Sequence, residues 1–162
     1  MIRSGHGRWS APPLAPRQMI KDFPDHHDAE LVLRLYELRR EPIMREARNA
    51  IYAKFAPKTF EEFAAITKPD HPLNASYRQV STYWEMAYSL IKHGVLNAEL
   101  AMDSNGEGMI LFAKAHPFLA EIRAQLSPRS FQNAEWVATQ TEAGKRVFAV
   151  YQERMAKPKG KK

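Results

Sequence analysis

The sequence predicts an all-α fold, a compact bundle of six to eight helices, and three observations carry that expectation. Apolar residues recur at three- and four-residue spacing, helix-start and helix-stop residues bracket the periodic stretches, and no segment shows the alternation of a half-buried strand. The longest periodic stretch lies in mid-chain. From Tyr77 to Gly94 a stripe of Tyr77, Val80, Trp84, Ala87 and Ile91 is widened by Tyr83, Met86 and Leu90. Only Arg78, Thr82, Glu85, Ser89 and Lys92 remain as a narrow polar band, so a helix at about 75–93, wrapped by its neighbours, is the expected centre.

Composition bounds the rest. A chain of 162 residues with 44% hydrophobic content can bury a core without staples. The absence of cysteine excludes disulfides, thiolate metal sites, iron–sulfur ligation and a cysteine nucleophile together. No apolar run approaches the roughly 20 residues of a membrane span, and residues 1–24 contain no apolar signal-peptide region, so the expectation is a cytoplasmic protein without a membrane span. The net charge of +6 is concentrated at the ends: residues 1–24 carry +3, residues 154–162 carry +5, and 25–153 carry −2. A near-neutral body with basic ends predicts no specific nucleic-acid surface, and accessory nucleic-acid binding through the tails is kept as an alternative.

Taken in order, residues 1–24 hold six glycines and prolines without apolar period and read as a disordered tail, with Met19 as a second candidate start of translation. A single helical domain is expected over 25–156. Its first helix is placed at Asp28 to Arg40, capped by Asp25 or Asp28, with Leu31, Val32, Leu35, Tyr36 and Leu38 on a wide apolar face. Pro42 opens a second helix to residue 55, because proline suits the first turn and turns the preceding residue away from the helical region. Thr59 and Glu62 match a capping box for a short helix through Ile66. Pro69 and Pro72 then make a rigid connection, after which Asn74 is the expected N-cap of the central helix and Gly94 its left-handed C-terminal stop.

A short helical turn over 97–102 and an Asp103–Gly108 loop follow, with a helix from Met109 that Pro117 should kink near 113–116. Ser127-Pro128 is expected to start the next segment, and Thr139 with Glu142 to cap the last, which carries Val147, Phe148, Tyr151 and Met155. Residues 157–162 read as a disordered basic tail.

The order YWEMAYSLIKHGVLNAEL, GEGMILF, HPFLAEIR and FQNAEWVA, covering about Tyr77 to Ala138, resembles a family of uncharacterised bacterial all-helical domains of unknown function. The shared elements are an aromatic-Glu helix ending in Gly, a Gly-led helix and a closing Phe-Glu-aromatic segment. The resemblance implies an all-helical cytosolic domain, in some relatives joined to an N-terminal membrane helix for which this chain shows no apolar run. It carries over no activity.

No residue pattern assigns a catalytic, cofactor or metal site. Asp25-His-His-Asp28 resembles a phosphoesterase metal signature, yet such sites gather further ligands from strand ends, and an exposed helix cap is the expectation. Asp103-Ser-Asn-Gly106 places its glycine fourth where a calcium loop needs it sixth, and Lys114 stands where the bidentate Glu belongs. There is no Glu-x-x-His for a di-metal bundle and no glycine-rich phosphate loop. What remains is a candidate polar cluster of Glu85 and Arg78 with His93 and Glu135, for which a structural ion pair of Glu85 to Arg78, Arg123 or a tyrosine is favoured over catalysis. The function expected is a protein-interaction or regulatory module, with an aromatic groove near Trp84, Tyr88, Phe118 and Trp136 for a protein partner or a second copy. A small-molecule-binding protein or enzyme using the Glu85 cluster is the alternative.

Overall fold

Two cooperating carboxylates start the fold. In the computed structural model, which describes residues 20–157, helix α1 (His26–Arg40) opens on a capping box: Asp25 accepts the N–H groups of His27 and Asp28, and Asp28 accepts that of Asp25. Glu41 leaves the helical region, and Pro42 begins α2 (Pro42–Lys54), giving the expected sharp corner. Thr59 caps α3 (Phe60–Ile66) by accepting the Glu62 N–H, while the Glu62 carboxylate takes the Lys58 N–H instead of that of Thr59, so half of the expected capping box forms.

The central helix, α4, runs Asn74–Lys92. It buries Val80, Tyr83, Trp84, Ala87, Tyr88 and Ile91 and packs most extensively against α2 and α8. Each of these larger side chains contributes about 1.5–3 kcal/mol by leaving water, which is why this rod anchors the bundle. Its ending follows the sequence: Gly94 has φ 70°, and the N–H groups of Gly94 and Val95 return to the carbonyls of Ile91 and Leu90. Its beginning does not. Asn74 lies inside the helix, buried, and its side-chain amide donates to the Ile66 carbonyl at 3.1 Å, tying α4 to the end of α3 instead of capping. Within the expected stripe Met86 is exposed, and Tyr88 takes the buried place.

The second half comprises α5 (Ala98–Ser104), α6 (Glu107–Ala115), a 3-10 turn at His116–Phe118, α7 (Leu119–Gln125), α8 (Gln132–Gln140) and α9 (Glu142–Ala156); α8 and α6 pack on α4, and α9 packs across α5, α6 and α8. The 3-10 turn sits at Pro117, where the missing backbone donor interrupts the helix, so α6 and α7 are the two arms of one bent rod. Counted so, the described residues form eight rods and no strand.

Two further starts differ from expectation. Ser127-Pro128 forms only a turn, and α8 begins at Gln132 behind Phe131, whose left-handed φ of 53° is held by burying its ring against Phe112. Thr141, not Thr139, caps α9 by accepting the Gly144 N–H, while the Thr139 hydroxyl bonds back to Glu135 within α8. Lys21, which composition places in a tail, pairs with Asp25 and Asp28, and its carbonyl accepts the Asn97 side-chain amide. The rest of the two expected tails, 1–19 and 158–162, lies outside the described residues.

Candidate functional site

The polar band of α4 leads to Glu85. Its half-buried carboxylate accepts the backbone N–H of Asn133 at 3.0 Å and of Ala134 at 2.8 Å, and the Asn133 side chain donates to the Glu85 carbonyl. Glu85 therefore caps α8, whose own N-cap residue, Phe131, offers no side-chain acceptor. Burial pushes its carboxyl up, against the pull of those two N–H groups and of Lys92 and Arg123. The expected ion pair is replaced by backbone donors. Glu135 instead pairs with Arg123 at 2.7 Å. The side chains of Arg78 and His93 are exposed and make no hydrogen bond or ion pair with Glu85, so the four predicted residues do not converge. A cleft of about 170 Å³ with mixed polar and apolar lining lies beside Glu85, between Tyr77, Ser81 and Thr82 of α4 and the Ser127–Phe131 turn.

A second polar group, which sequence reasoning missed, surrounds the start of α6. Glu107 accepts Arg48 through both Nε (3.0 Å) and Nη2 (2.6 Å) and Arg39 through Nη1 (3.0 Å), joining α1, α2 and α6 in one bidentate network. Asn105 caps the Glu107 N–H, and the Tyr52 hydroxyl lies 3.5 Å from the Glu107 carbonyl. Gly108 lets α6 approach α4, because a Cβ there would collide with the Tyr88 hydroxyl and the Trp84 indole. Around this contact Arg39 Nε, Trp84 Nε1 and the Tyr88 hydroxyl are buried without a well-formed hydrogen bond. The one local signal was an acid between two glycines at a helix start.

On the other flank of the Trp84 and Tyr88 rings lies a partly open apolar cleft of about 50 Å³ between α1, α4 and α5. Val32, Leu35 and Tyr36 of α1 form one wall; Tyr83, Trp84, Ala87 and Tyr88 of α4 form the floor. Leu96, Ala101 and Met102 close the far side, and Ser104 and Asn105 are the polar lining residues. The α1 wall packs Leu31, Val32, Leu35 and Leu38 against the core and adds polar fastenings to them. The Tyr83 hydroxyl donates to the Leu35 carbonyl at 2.6 Å, Arg39 is held by Glu107, and Asp28, the one fully buried residue of α1, accepts the Asn97 N–H at 2.8 Å and the Lys21 ammonium at 2.7 Å. Burial raises the Asp28 carboxyl, but Lys21 and the Asp25 and Asn97 N–H groups more than offset it, leaving it below the usual carboxylate range. Asp28 is thus a buried tie, where an exposed cap was expected.

These features define a small all-helical domain with an apolar cleft against one face of its central helix and a mixed cleft beside Glu85 on another. The chain belongs to the family described as domain of unknown function DUF4760, whose model matches residues 24–141. No curated protein and no solved structure matches the chain. Among the described residues no helix is long and apolar enough to cross a membrane, and no three His, Asp or Glu side chains are grouped to hold a metal ion.

Proposed function

We propose that this domain is a binding module whose cleft between α1, α4 and α5 receives a small apolar group. One observation carries the reading: the cleft is partly open yet lined almost wholly by apolar and aromatic side chains drawn from separate helices. Xenon tests it, because apolar cavities take up xenon. Under xenon pressure, amide and methyl signals of Ala87, Leu96, Ala101 and Met102 should shift together, and Ala101→Leu should abolish the response. No shift at these residues in the unmodified chain overturns the reading.

A protein partner, or a second copy, is the second reading. It is favoured by the outer faces of α1 and α2, where Leu33 is 63% and Ile43 is 73% exposed. Light scattering that reports a concentration-dependent dimer, lost in Leu33→Ser and Ile43→Ser, would support self-association through these faces, and a monomer at every concentration would count against it.

A further inference from the structure

We propose that the cleft beside Glu85 binds a small neutral polyol, with adjacent hydroxyl groups of the ligand donating to the Glu85 carboxylate. This site is separate from the apolar cleft and is built differently. Tyr77, Ser81 and Glu85 follow one another at four-residue spacing on α4, so they share one edge of that helix and line one side. Ser127, Arg129 and Ser130 line the other. That second wall ends at Phe131, whose left-handed backbone, with φ 53°, is of the strained kind that collects at ligand sites.

Unused hydrogen-bonding capacity selects the ligand. Each Glu85 oxygen accepts one backbone N–H, Oε2 that of Asn133 and Oε1 that of Ala134, whereas an ionised carboxylate offers about four acceptor positions, so about two remain. Among the described residues the Ser127 and Ser130 hydroxyls and the Arg129 guanidinium make no hydrogen bond or ion pair, so donors stand across the cleft from the carboxylate. A ligand that donates to one wall and accepts from the other satisfies both, and a hydroxyl does each with a single atom.

Other ligand classes fit less well. A cation would meet Arg129 in the lining, and the charges of Lys92 and Arg123 already act on Glu85. An anion would meet Glu85 itself. A flat aromatic base needs open ring faces, yet the Tyr77 ring is packed by Phe55 and Phe63, and the Phe131 ring is buried against Phe112. The space, about 170 Å³, is close to the roughly 150 Å³ of a cavity that holds benzene, so size admits a cyclitol or a single sugar ring without choosing between them.

The test is titration of the full chain with myo-inositol, glucose, cyclohexanol and benzamide, followed by the amide signals of Ser81, Ser130, Asn133 and Ala134. Inositol or glucose should bind on the order of 10-fold more tightly than cyclohexanol, the worth of one added hydrogen bond to a charged acceptor; the tighter of the two names the source as cyclitol or sugar. Glu85→Gln should weaken that binding by on the order of 10-fold. Ser127→Ala with Ser130→Ala, which leaves the Glu85 cap of α8 in place, should weaken it several-fold. Ala101→Leu, which fills the apolar cleft, should leave it unchanged, and loss of binding there would move the ligand to that cleft and overturn the proposal. Cyclohexanol or benzamide binding as tightly as the polyols overturns the choice of ligand. Unmoved signals with every compound at concentrations on the order of 100 mM overturn the site, as does polyol binding that neither the Glu85 nor the serine variant weakens.

Discussion

Glu85 on α4 accepts the Ala134 N–H at 2.8 Å, so the side chain of one helix supplies the N-terminal cap of another 49 residues away. The Asn133 N–H shares the same carboxylate. In Glu85→Gln one side-chain acceptor becomes an NH₂ group facing a backbone donor, a loss of about 1–2 kcal/mol. The melting temperature should fall by roughly 3–6 °C. An unchanged melting temperature would show that the cap contributes nothing.

Glu107→Gln tests the network at the start of α6. Arg39 and Arg48, both largely shielded from water, would lose their common carboxylate, and the half-buried charges would be left with poorer partners. A cost of about 2 kcal/mol is expected, read as a lower urea midpoint, because this pair is less buried than those that cost 3–5 kcal/mol. Hydrogen exchange should speed up in α1 more than in α8, since α1 is fastened here and α8 is not. Uniform acceleration through both helices would refute that fastening.

Gly108→Ala opposes two effects. Alanine favours a helix interior over glycine by about 1 kcal/mol, but its Cβ would meet the Tyr88 hydroxyl and the Trp84 ring. Those neighbours are buried aromatic groups that cannot swing into solvent, so overpacking by about 1–3 kcal/mol should prevail. The variant should melt lower than the native chain. A higher melting temperature would show that α6 stands further from α4 than described.

What the sequence reveals and conceals follows the range of each interaction. Asp25, Thr59 and Gly94 act within four residues of themselves, and their caps are legible from spacing. Thr139 misleads because the Thr-x-x-Glu pattern states only what can cap; its hydroxyl is claimed by Glu135, and Thr141 lies where the chain turns. Glu85 was legible as a half-covered carboxylate in need of partners. That those partners are backbone N–H groups 48 and 49 residues on depends on how α8 docks, which no local period encodes. Glu107 was hidden for the same reason: its arginines come from α1 and α2, 68 and 59 residues earlier.

The acid limb of stability belongs to the start of α1. Lys21 and the Asp28 and His27 N–H groups hold the Asp25 carboxyl down at about 2, and Asp28 also lies below its ordinary value of 3.8. A carboxyl that is more acidic folded than unfolded contributes stability above its unfolded value and loses it as pH falls through its folded value. The pair should therefore weaken the fold between about pH 4 and pH 2. Glu85 runs the other way: burial raises it above 4.5, so its contribution is complete below that value and is lost as pH rises through its folded value. Asp28→Asn separates the two. It should lower the urea midpoint at about pH 6, costing about 2 kcal/mol as the Asn97 N–H and Lys21 lose a charged acceptor, and should flatten the decline toward about pH 2.5. A midpoint that declines as steeply as in the native chain would assign acid sensitivity to other groups and leave Asp28 a tie of no electrostatic consequence.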